Sequence, residues 1–460
     1  LIEEYGSPSA AADAVWALAR ENKWYREGEH TERYLLRSAV AVDVRNEAAL
    51  TFSVAWHGQI VGQLGHDGFE WRWQPQDNFN LPLVQQRVPG RLPPFILSLL
   101  PEGWLEKVLK DNDERAVLRS GKRYMSNITI SEDATELASL PVDMLSVSLS
   151  RYARDGLFTG NYAGPGRGKL EADFEAGLAR LYERADTPRL SGVQIKAPMY
   201  LAQDGQLSPS AGLPFTHILK PAGTSGFQAL PVIEYLAMTL GRASGLASPD
   251  IALVAMPDDM PPALLVERFD IRTSPEDERR FALEDLCSVL DLPPDAKYDG
   301  TIERITRAVR PLSTSAGEDL LLVIKRALFA WLIGDGDMHL KNLALLKIAG
   351  PVADRFSTIR LAPLYDAVTT RVFPSLEHDR MALKLNGKDD RLRRRDFMQV
   401  AAIAGLAATG VGEEIDHFLQ RFAEAIDGVS LPDLPGVDRD IEERAEAMVA
   451  LCRERVAAFS

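Results

Sequence analysis

Asp335-Gly-Asp-Met-His-Leu-Lys-Asn342, followed at a short remove by Tyr365-Asp366-Ala367, is the stretch on which the reading of this 460-residue chain turns. An aspartate, an asparagine five residues later and a second aspartate after a short connection form a set able to hold a hydroxyl, magnesium and a triphosphate together. Phosphoryl transfer needs an in-line hydroxyl and charge neutralisation on the phosphates but little covalent help, so a protein mainly positions groups and metal. Asp337 would stand near the acceptor hydroxyl as base or orienter. Asn342 offers a neutral oxygen, and Asp366 charged ones, to a hard octahedral cation. Trp331-Leu-Ile-Gly334 reads as the end of an apolar helix starting near Leu320, with the polar residues on the loop that follows. Leu343-Ala-Leu-Leu-Lys347 and Ile359-Arg-Leu-Ala362 read as a strand pair that carries Asp366 back beside Asn342. Taken alone, the spacing equally suits a polar helix-to-strand loop in which Asp335 and Asn342 cap or turn the backbone.

Four upstream segments fall in the order that such a site needs. Arg189-Leu-Ser-Gly-Val-Gln-Ile-Lys196 is a short loop with one glycine where backbone amides can approach phosphate oxygens, although it lacks a G-x-G-x-x-G pattern. Phe215-Thr-His-Ile-Leu-Lys220 is strand-like, and its terminal lysine can reach a triphosphate as a point charge. The run from Pro231 to Gly241 has helical periodicity, with Glu234 near its start and able to pair Lys220. Ala263-Leu-Leu-Val-Glu-Arg-Phe-Asp270 is an apolar strand entering a polar bend, where a hinge between lobes can offer backbone hydrogen bonds to adenine. Singly, each is more often structural. Their joint order is improbable by chance.

On these segments the chain resembles the HipA-like serine/threonine kinases, the toxin half of bacterial toxin–antitoxin pairs. The resemblance rests on Ser191-Gly-Val-Gln194, His217-Ile-Leu-Lys220, Glu234-Tyr235, Leu246-Ala-Ser-Pro249, Val266-Glu-Arg-Phe-Asp270, Glu284-Asp-Leu-Cys287 and Lys297-Tyr298. It continues through Leu332-Ile-Gly334, Asp337-Met-His-Leu-Lys-Asn342, Leu361-Ala-Pro-Leu-Tyr-Asp366 and Met381-Ala-Leu-Lys-Leu-Asn-Gly387. Trp56-His-Gly-Gln-Ile-Val-Gly62 and Leu99-Leu-Pro-Glu102 are a looser match to the β-rich region that precedes the family's core. The resemblance implies an α+β, bilobal protein-kinase-like fold, with a small β-rich lobe and a large helical lobe, preceded by a small N-terminal α/β subdomain. It implies Asp337 as the catalytic aspartate, Asn342 and Asp366 as Mg2+ ligands, and Lys220, supported by Glu234, on the ATP phosphates. Ser191, Gly192, Val193 and Gln194 would form the phosphate-covering loop, and Glu267 to Phe269 the adenine hinge. His339 either orients phosphate or substrate, or serves as a local structural hydrogen bonder. ATP and Mg2+ are the implied cofactors. The implied partners are a HipB-like helix-turn-helix antitoxin that binds operator DNA and a protein substrate with a Ser or Thr acceptor.

Two departures stand out. Many family members carry, two positions before the small residue of the phosphate loop, a serine whose autophosphorylation ejects that loop; here the position is Arg189, while Ser191 remains. Control has moved to Ser191, or inhibition relies on the partner, or the register differs by two residues. A phosphoserine adds charge and strong acceptors, which gives Ser191 a means of reorganising the loop, although serines beside glycine are mostly turn formers. The second departure is Asp335 beside Asp337, read as a solvated turn residue or an extra metal ligand.

The global properties fit without deciding. A formal net charge of −14 argues against autonomous, nonspecific DNA binding. Lys388-Asp-Asp-Arg-Leu-Arg-Arg-Arg395 is the clearest basic patch and reads as the solvated start of a helix running to Leu406; the sharper reading has it touch DNA phosphates when an antitoxin holds the chain on an operator. Cys287 and Cys452 give neither metal spacing nor a disulfide framework. No run approaches bilayer length and no signal pattern opens the chain, so a cytoplasmic protein with no membrane partner is expected. The expected organisation is a helical extension over 1–50 (Ala10 to Asn22, then Glu32 to Leu36), an N-terminal subdomain over 51–150, a small lobe over 151–270 and a large lobe over 271–460. The leading expectation is a growth-inhibiting protein kinase acting on a cytoplasmic protein of translation, such as an aminoacyl-tRNA synthetase. The alternatives are a nucleotide-binding pseudokinase within a repressor complex and a kinase of a lipid or small molecule.

Overall fold

The computed structural model describes residues 50–76, 89–109, 113–164, 171–192, 194–223, 226–352 and 355–459. The expected helix at Ala10 to Asn22, the Glu32 to Leu36 segment and Val193 lie outside them. Three sheets and a helical lobe make up the rest, in the expected bilobal α+β arrangement.

The first sheet is set by a two-residue turn. Leu50–Trp56 (β1) and Gln59–His66 (β2) pair antiparallel around His57 and Gly58, whose φ values of 49° and 73° suit the right-handed twist of a tight hairpin. Trp71–Pro75 (β3) and Ile128–Ser131 (β4) complete the order β3-β2-β1-β4. Phe52, Val54 and Trp56 alternate along β1 and are fully buried.

The second sheet has eight strands: Ala153–Arg154 (β5), Leu157–Phe158 (β6), Asn161–Tyr162 (β7), Ala197–Leu201 (β8), Gln206–Pro209 (β9), His217–Lys220 (β10), Ile251–Val254 (β11) and Ala263–Glu267 (β12). Their order is β5-β6-β11-β12-β10-β8-β9-β7. Period-two alternation divides its side chains between two cores. Ile251, Leu253, Leu264 and Val266 join the main core, while Ala252, Val254, Ala263 and Leu265 share a second core with Phe174 and Leu178 of Glu171–Tyr182 (α1). The same alternation turns Leu219 into the second core and leaves Ile218 and Lys220 on the opposite, cleft-facing side.

Leu230–Ala243 (α2) lies across β11 and β12. A Cβ at Gly241 would stand 2.4 Å from Leu364 Cδ2 and 3.0 Å from the Phe329 ring, so glycine allows α2 to approach the large lobe closely. Ile302–Leu312 (α3) buries Ile302, Ile305 and Val309 as one stripe against Ala316–Ile333 (α4). α4 starts at Ala316 rather than near Leu320 and is buried almost all round from Leu320 onward, which makes it the central helix. Arg394–Ile403 (α5), Ala408–Gly428 (α6) and Arg439–Phe459 (α7) pack around it. The third sheet, Arg280–Asp285 (β13), Ala344–Ala349 (β14) and Thr358–Leu361 (β15), contains the expected strand pair, with Leu345 opposite Leu361. The basic run before α5 stays outside the helix up to Arg393; Lys388 pairs Asp396 at 2.7 Å and Arg394 pairs Asp416. Among the described residues no helix is long and apolar enough to cross a membrane.

One backbone position joins the first sheet to the third. The Phe281 carbonyl accepts from Trp56 Nε1 at 3.1 Å and from Asn127 Nδ2 at 2.9 Å, which occupies both lone pairs. His57 Nε2 therefore acts as acceptor for the Phe281 N–H, at 2.9 Å. Burial, against the pull of the backbone, lowers the His57 pKa to about 4, in keeping with a neutral ring. Asn127 also donates to Asp270 O at 2.7 Å and has a φ of 59°.

Two outcomes are expected. Asn127→Ala removes two buried donors and places alanine in a left-handed conformation, so denaturant unfolding should show a loss of about 2–4 kcal/mol, of which Asn127→Gly recovers only the backbone part. For His57 the folded pKa lies below the unfolded one, so its contribution is present above about pH 6.5 and lost as pH falls towards about 4. The stability difference between the wild type and His57→Gln should therefore shrink across that window.

Candidate active site

Lys220 ends β10 with its ammonium buried between two carboxylates, Glu234 Oε1 of α2 at 2.5 Å and Asp366 Oδ1 from the loop after β15. Burial alone would pull this lysine down; Asp366 and then Glu234 outweigh it and hold the pKa above its usual value. Asp366 has a φ of 51°, a left-handed conformation uncommon outside glycine and typical of functional positions. Burial pushes its carboxyl up, but Lys196, 3.5 Å from Oδ2, and Lys220 hold it below the usual range. Glu234 is pushed up by burial despite Lys220 beside it.

The loop beneath is built by the end of α4. Gly334 (φ 69°) lets the chain turn, and Asp335 N–H closes the helix by donating to Ala330 O at 2.8 Å. Asp335 is only 2 % exposed and its Oδ1 accepts the Asp337 N–H at 2.8 Å, so the reading of a solvated turn residue is wrong. It is an internal brace, with burial and the Asp337 charge pushing its carboxyl well up. A Cβ at Gly336 would fall 1.9 Å from Asp379 Oδ2, which is why glycine separates the two aspartates. Asn342 Nδ2 donates to Asp337 O at 2.8 Å, fixing the amide so that its oxygen is the atom left for a ligand. Arg326 of α4 donates to Asn342 O at 3.1 Å and to Pro363 O at 3.2 Å, tying the loop to the segment that leads to Asp366.

Asp337 Oδ1 accepts from the Tyr298 hydroxyl at 2.7 Å; burial raises its pKa while Tyr298 opposes the rise. His339 stands edge-on to Tyr298, with ring centroids 5.2 Å apart, and burial and the Lys297 charge press its pKa down to about 3. Its ring is therefore neutral, and among the described residues Nδ1 has no hydrogen-bond partner. Across the cleft, Gly192 has a φ of 104°, and Gln194 Nε2 is likewise buried with no partner among the described residues. Glu267 turns its carboxylate to the Leu149 N–H at 2.6 Å, and its own N–H is used on Asp250 O. The Phe269 ring lies 6.0 Å from that of Tyr365.

Asp337, Asn342, Asp366, Lys220, Glu234, Ser191, Gly192, Gln194, Glu267, Phe269 and His339 all line one cavity of about 260 Å³. Arg189 does not. It is fully buried on the far side, donating to Tyr182 O at 2.8 Å and Ser120 O at 2.5 Å and lying over the Tyr182 ring. The cleft also contains groups to which the sequence reading gave no role: Lys196, Lys297 and Lys341. Lys341 reaches Ser98 O at 2.9 Å and the Glu102 carboxylate, so the segment around Phe95 to Glu102 forms one wall. Lys297-Tyr298 and Leu99-Leu-Pro-Glu102 were visible as motifs, but nothing local to them reveals that they meet Asp337 or the loop before Asn342.

Among the described residues no group of three or more His, Cys, Asp or Glu side chains could hold a metal. Asn342 and Asp366 are a sparse set of the kind Mg2+ accepts when phosphate oxygens and water complete its octahedron. Among the described residues Gln194 Nε2 is a buried donor without a partner, and with the left-handed Gly192 beside it the loop fits an anionic ligand.

The sequence model of the HipA-like C-terminal domain matches residues 189–428, more than half of the chain. Two Sinorhizobium fredii proteins are similar in sequence. The one named "Putative kinase Y4mE" is 28% identical over 402 residues, covering 81% of this chain and 90% of its own length. "Putative kinase Y4dM" is 29% identical over 347 residues, covering 72% and 75%. In structure the chain resembles a protein of the Shewanella oneidensis toxin–antitoxin complex of HipA, HipB and operator DNA, with a TM-score of 0.63, 18% identity and coverage of 89% of this chain and 97% of that one. At that identity the likeness speaks for the fold, which is kinase-like. By its sequence match over residues 189–428, this chain belongs to the HipA-like family.

Proposed function

We propose that this chain is an ATP- and Mg2+-dependent serine/threonine protein kinase. The observation that carries the reading is the Lys220 ammonium, shared by Glu234 and Asp366, facing Asp337 and Asn342 in a single cavity. Under this reading Asn342 Oδ1 and the Asp366 carboxylate hold Mg2+, which neutralises phosphate charge. Lys220 and the Ser191 to Gln194 loop hold the phosphates. The Glu267 and Arg268 N–H groups are taken by Asp250 O and Thr216 O, so an adenine edge would use the Phe269 N–H and the carbonyls of this strip. Asp337 orients the acceptor hydroxyl and takes its proton, after releasing Tyr298. Residues 51–150 then act as a subdomain that walls the cleft through Lys341 and Glu102, 151–270 as the small lobe and 271–460 as the large lobe.

The wider role we infer is that of a cytoplasmic toxin, growth-inhibiting until a helix-turn-helix antitoxin binds it, with DNA met only through that partner. What supports it is family membership and the likeness to a protein of the HipA, HipB and operator DNA complex. Ser191, at the edge of the cleft, is the candidate for autophosphorylation.

The test is to incubate the protein with γ-labelled ATP, Mg2+ and a cell extract, beside Asp337→Asn. Labelling of a Ser or Thr protein should fall about 10²–10⁴-fold in the variant while nucleotide binding persists. A wild type that binds ATP and labels nothing would sink the kinase reading in favour of a pseudokinase; label confined to lipid or small molecules would reject the protein substrate. Phosphopeptides from the same sample decide Ser191. Lys220→Met leaves the buried Glu234 carboxylate without its cation and Asp366 with Lys196 alone, so calorimetry should show both a nucleotide affinity at least about tenfold weaker and a stability loss of about 3–5 kcal/mol.

A further inference from the structure

Five cationic side chains line the cleft: Lys196, Lys220, Arg268, Lys297 and Lys341. Four are already paired. Lys196 faces Asp366, Lys220 lies between Glu234 and Asp366, Arg268 is held by Asp270 and Asp143, and Lys341 by Glu102. Lys297 is the exception. It is only 8 % exposed, yet among the described residues no carboxylate stands within 4.0 Å of its ammonium, which lies 5.4 Å from the centroid of the Tyr298 ring. A lysine enclosed to this degree without a counter-ion is costly unless an anion arrives.

The backbone shows where that anion would be. The Lys297 carbonyl accepts the Leu340 N–H at 3.0 Å, which pins this residue to the loop between Asp337 and Asn342. The next residue, Tyr298, holds the Asp337 carboxylate, and His339, with its unpartnered Nδ1, packs against Tyr298. The free ammonium therefore lies on the acceptor side of the cleft, beside Asp337, whereas Lys220 and Lys196 lie on the side of Asp366. A nucleoside triphosphate has its terminal phosphate nearest the acceptor, and this is where negative charge must be held during transfer.

We propose that Lys297 binds the terminal phosphate of the nucleotide, pairing with the phosphoryl group as it passes to the hydroxyl at Asp337. This rests on the kinase reading and assigns within it a residue that the sequence left without a role. In the transfer the acceptor O–P bond forms as the bond from the γ-phosphorus to the β–γ bridging oxygen breaks. The nucleoside diphosphate departs with that electron pair, the acceptor proton goes to Asp337, and Lys297 keeps its own proton throughout.

The test compares a non-hydrolysable triphosphate analogue with ADP, both with Mg2+, by titration calorimetry on the wild type, Lys297→Met and Lys297→Arg. Lys297→Met should weaken the analogue by about tenfold or more and ADP by less than about threefold, with Lys297→Arg retaining most of the discrimination. Melting curves establish that the variants are folded, and Lys297→Gln replaces the methionine variant if that one is not. Equal weakening of both nucleotides, or of neither, overturns the proposal, because a lysine that only supports Tyr298 or the loop cannot tell a triphosphate from a diphosphate. A wild type that binds neither nucleotide overturns the kinase reading itself, and is told apart from failure at Lys297 alone, where the wild type binds and the variant is indifferent.

Discussion

The buried ammonium of Lys220 is the constraint around which this molecule is arranged. It comes from a central strand, its first carboxylate from α2 and its second from a left-handed residue in the large lobe. Lys220 and Glu234 neutralise each other in a buried setting, and Asp366, met also by Lys196, is drawn to the same ammonium, so the three elements that carry them are brought close together. The triangle therefore fixes the height of the strand, the rotation of the helix and the approach of the loop after β15. Gly241 makes the same approach sterically possible, by letting α2 pass Leu364 and Phe329 without a Cβ between them.

The second organising element is the catalytic-type loop after α4, held from three directions. Asp335 braces it from within, Arg326 ties its last residue to the Asp366 segment, and Lys341 secures it to the N-terminal subdomain at Ser98 and Glu102. That subdomain is anchored in turn at Phe281, whose carbonyl accepts from Trp56 and Asn127 and whose N–H donates to His57. A region that looks like an appendage in sequence thus forms a wall of the cleft. Its hydrophobic residues belong to the same continuous core as those of α4 and α7.

Much of this was legible before any coordinates. That the glycine loop, Lys220, Glu234, the Glu267 to Phe269 strip and the aspartates could be read as parts of one site owes to local signals: a glycine, a strand end, a helix start, a polar turn after an apolar helix. Elements came out close to their expected limits for the same reason, with α2 at Leu230–Ala243 around the expected Pro231 to Gly241 and β14 with β15 forming the expected pair. Asp335 was misread because burial is not a local property: an aspartate after a glycine turn looks solvated unless one knows that α4 is enclosed by three later helices. Arg189 is the converse case. Its position beside the phosphate loop suggests a part in controlling that loop, whereas its guanidinium points away, into carbonyls of Tyr182 and Ser120.

The sequence by itself determined the family, the order of the chemical groups and the alternation that turns Lys220 towards a cleft, because these depend on residue type and short-range periodicity. Only the tertiary structure decided which charges are neutralised and which are left free. Pairing is a matter of a few ångströms between elements far apart in the chain, such as Lys220 with Asp366 and Lys341 with Glu102. Among the described residues the same folding leaves the Lys297 ammonium without a carboxylate within 4.0 Å, a fact that no spacing or motif contains.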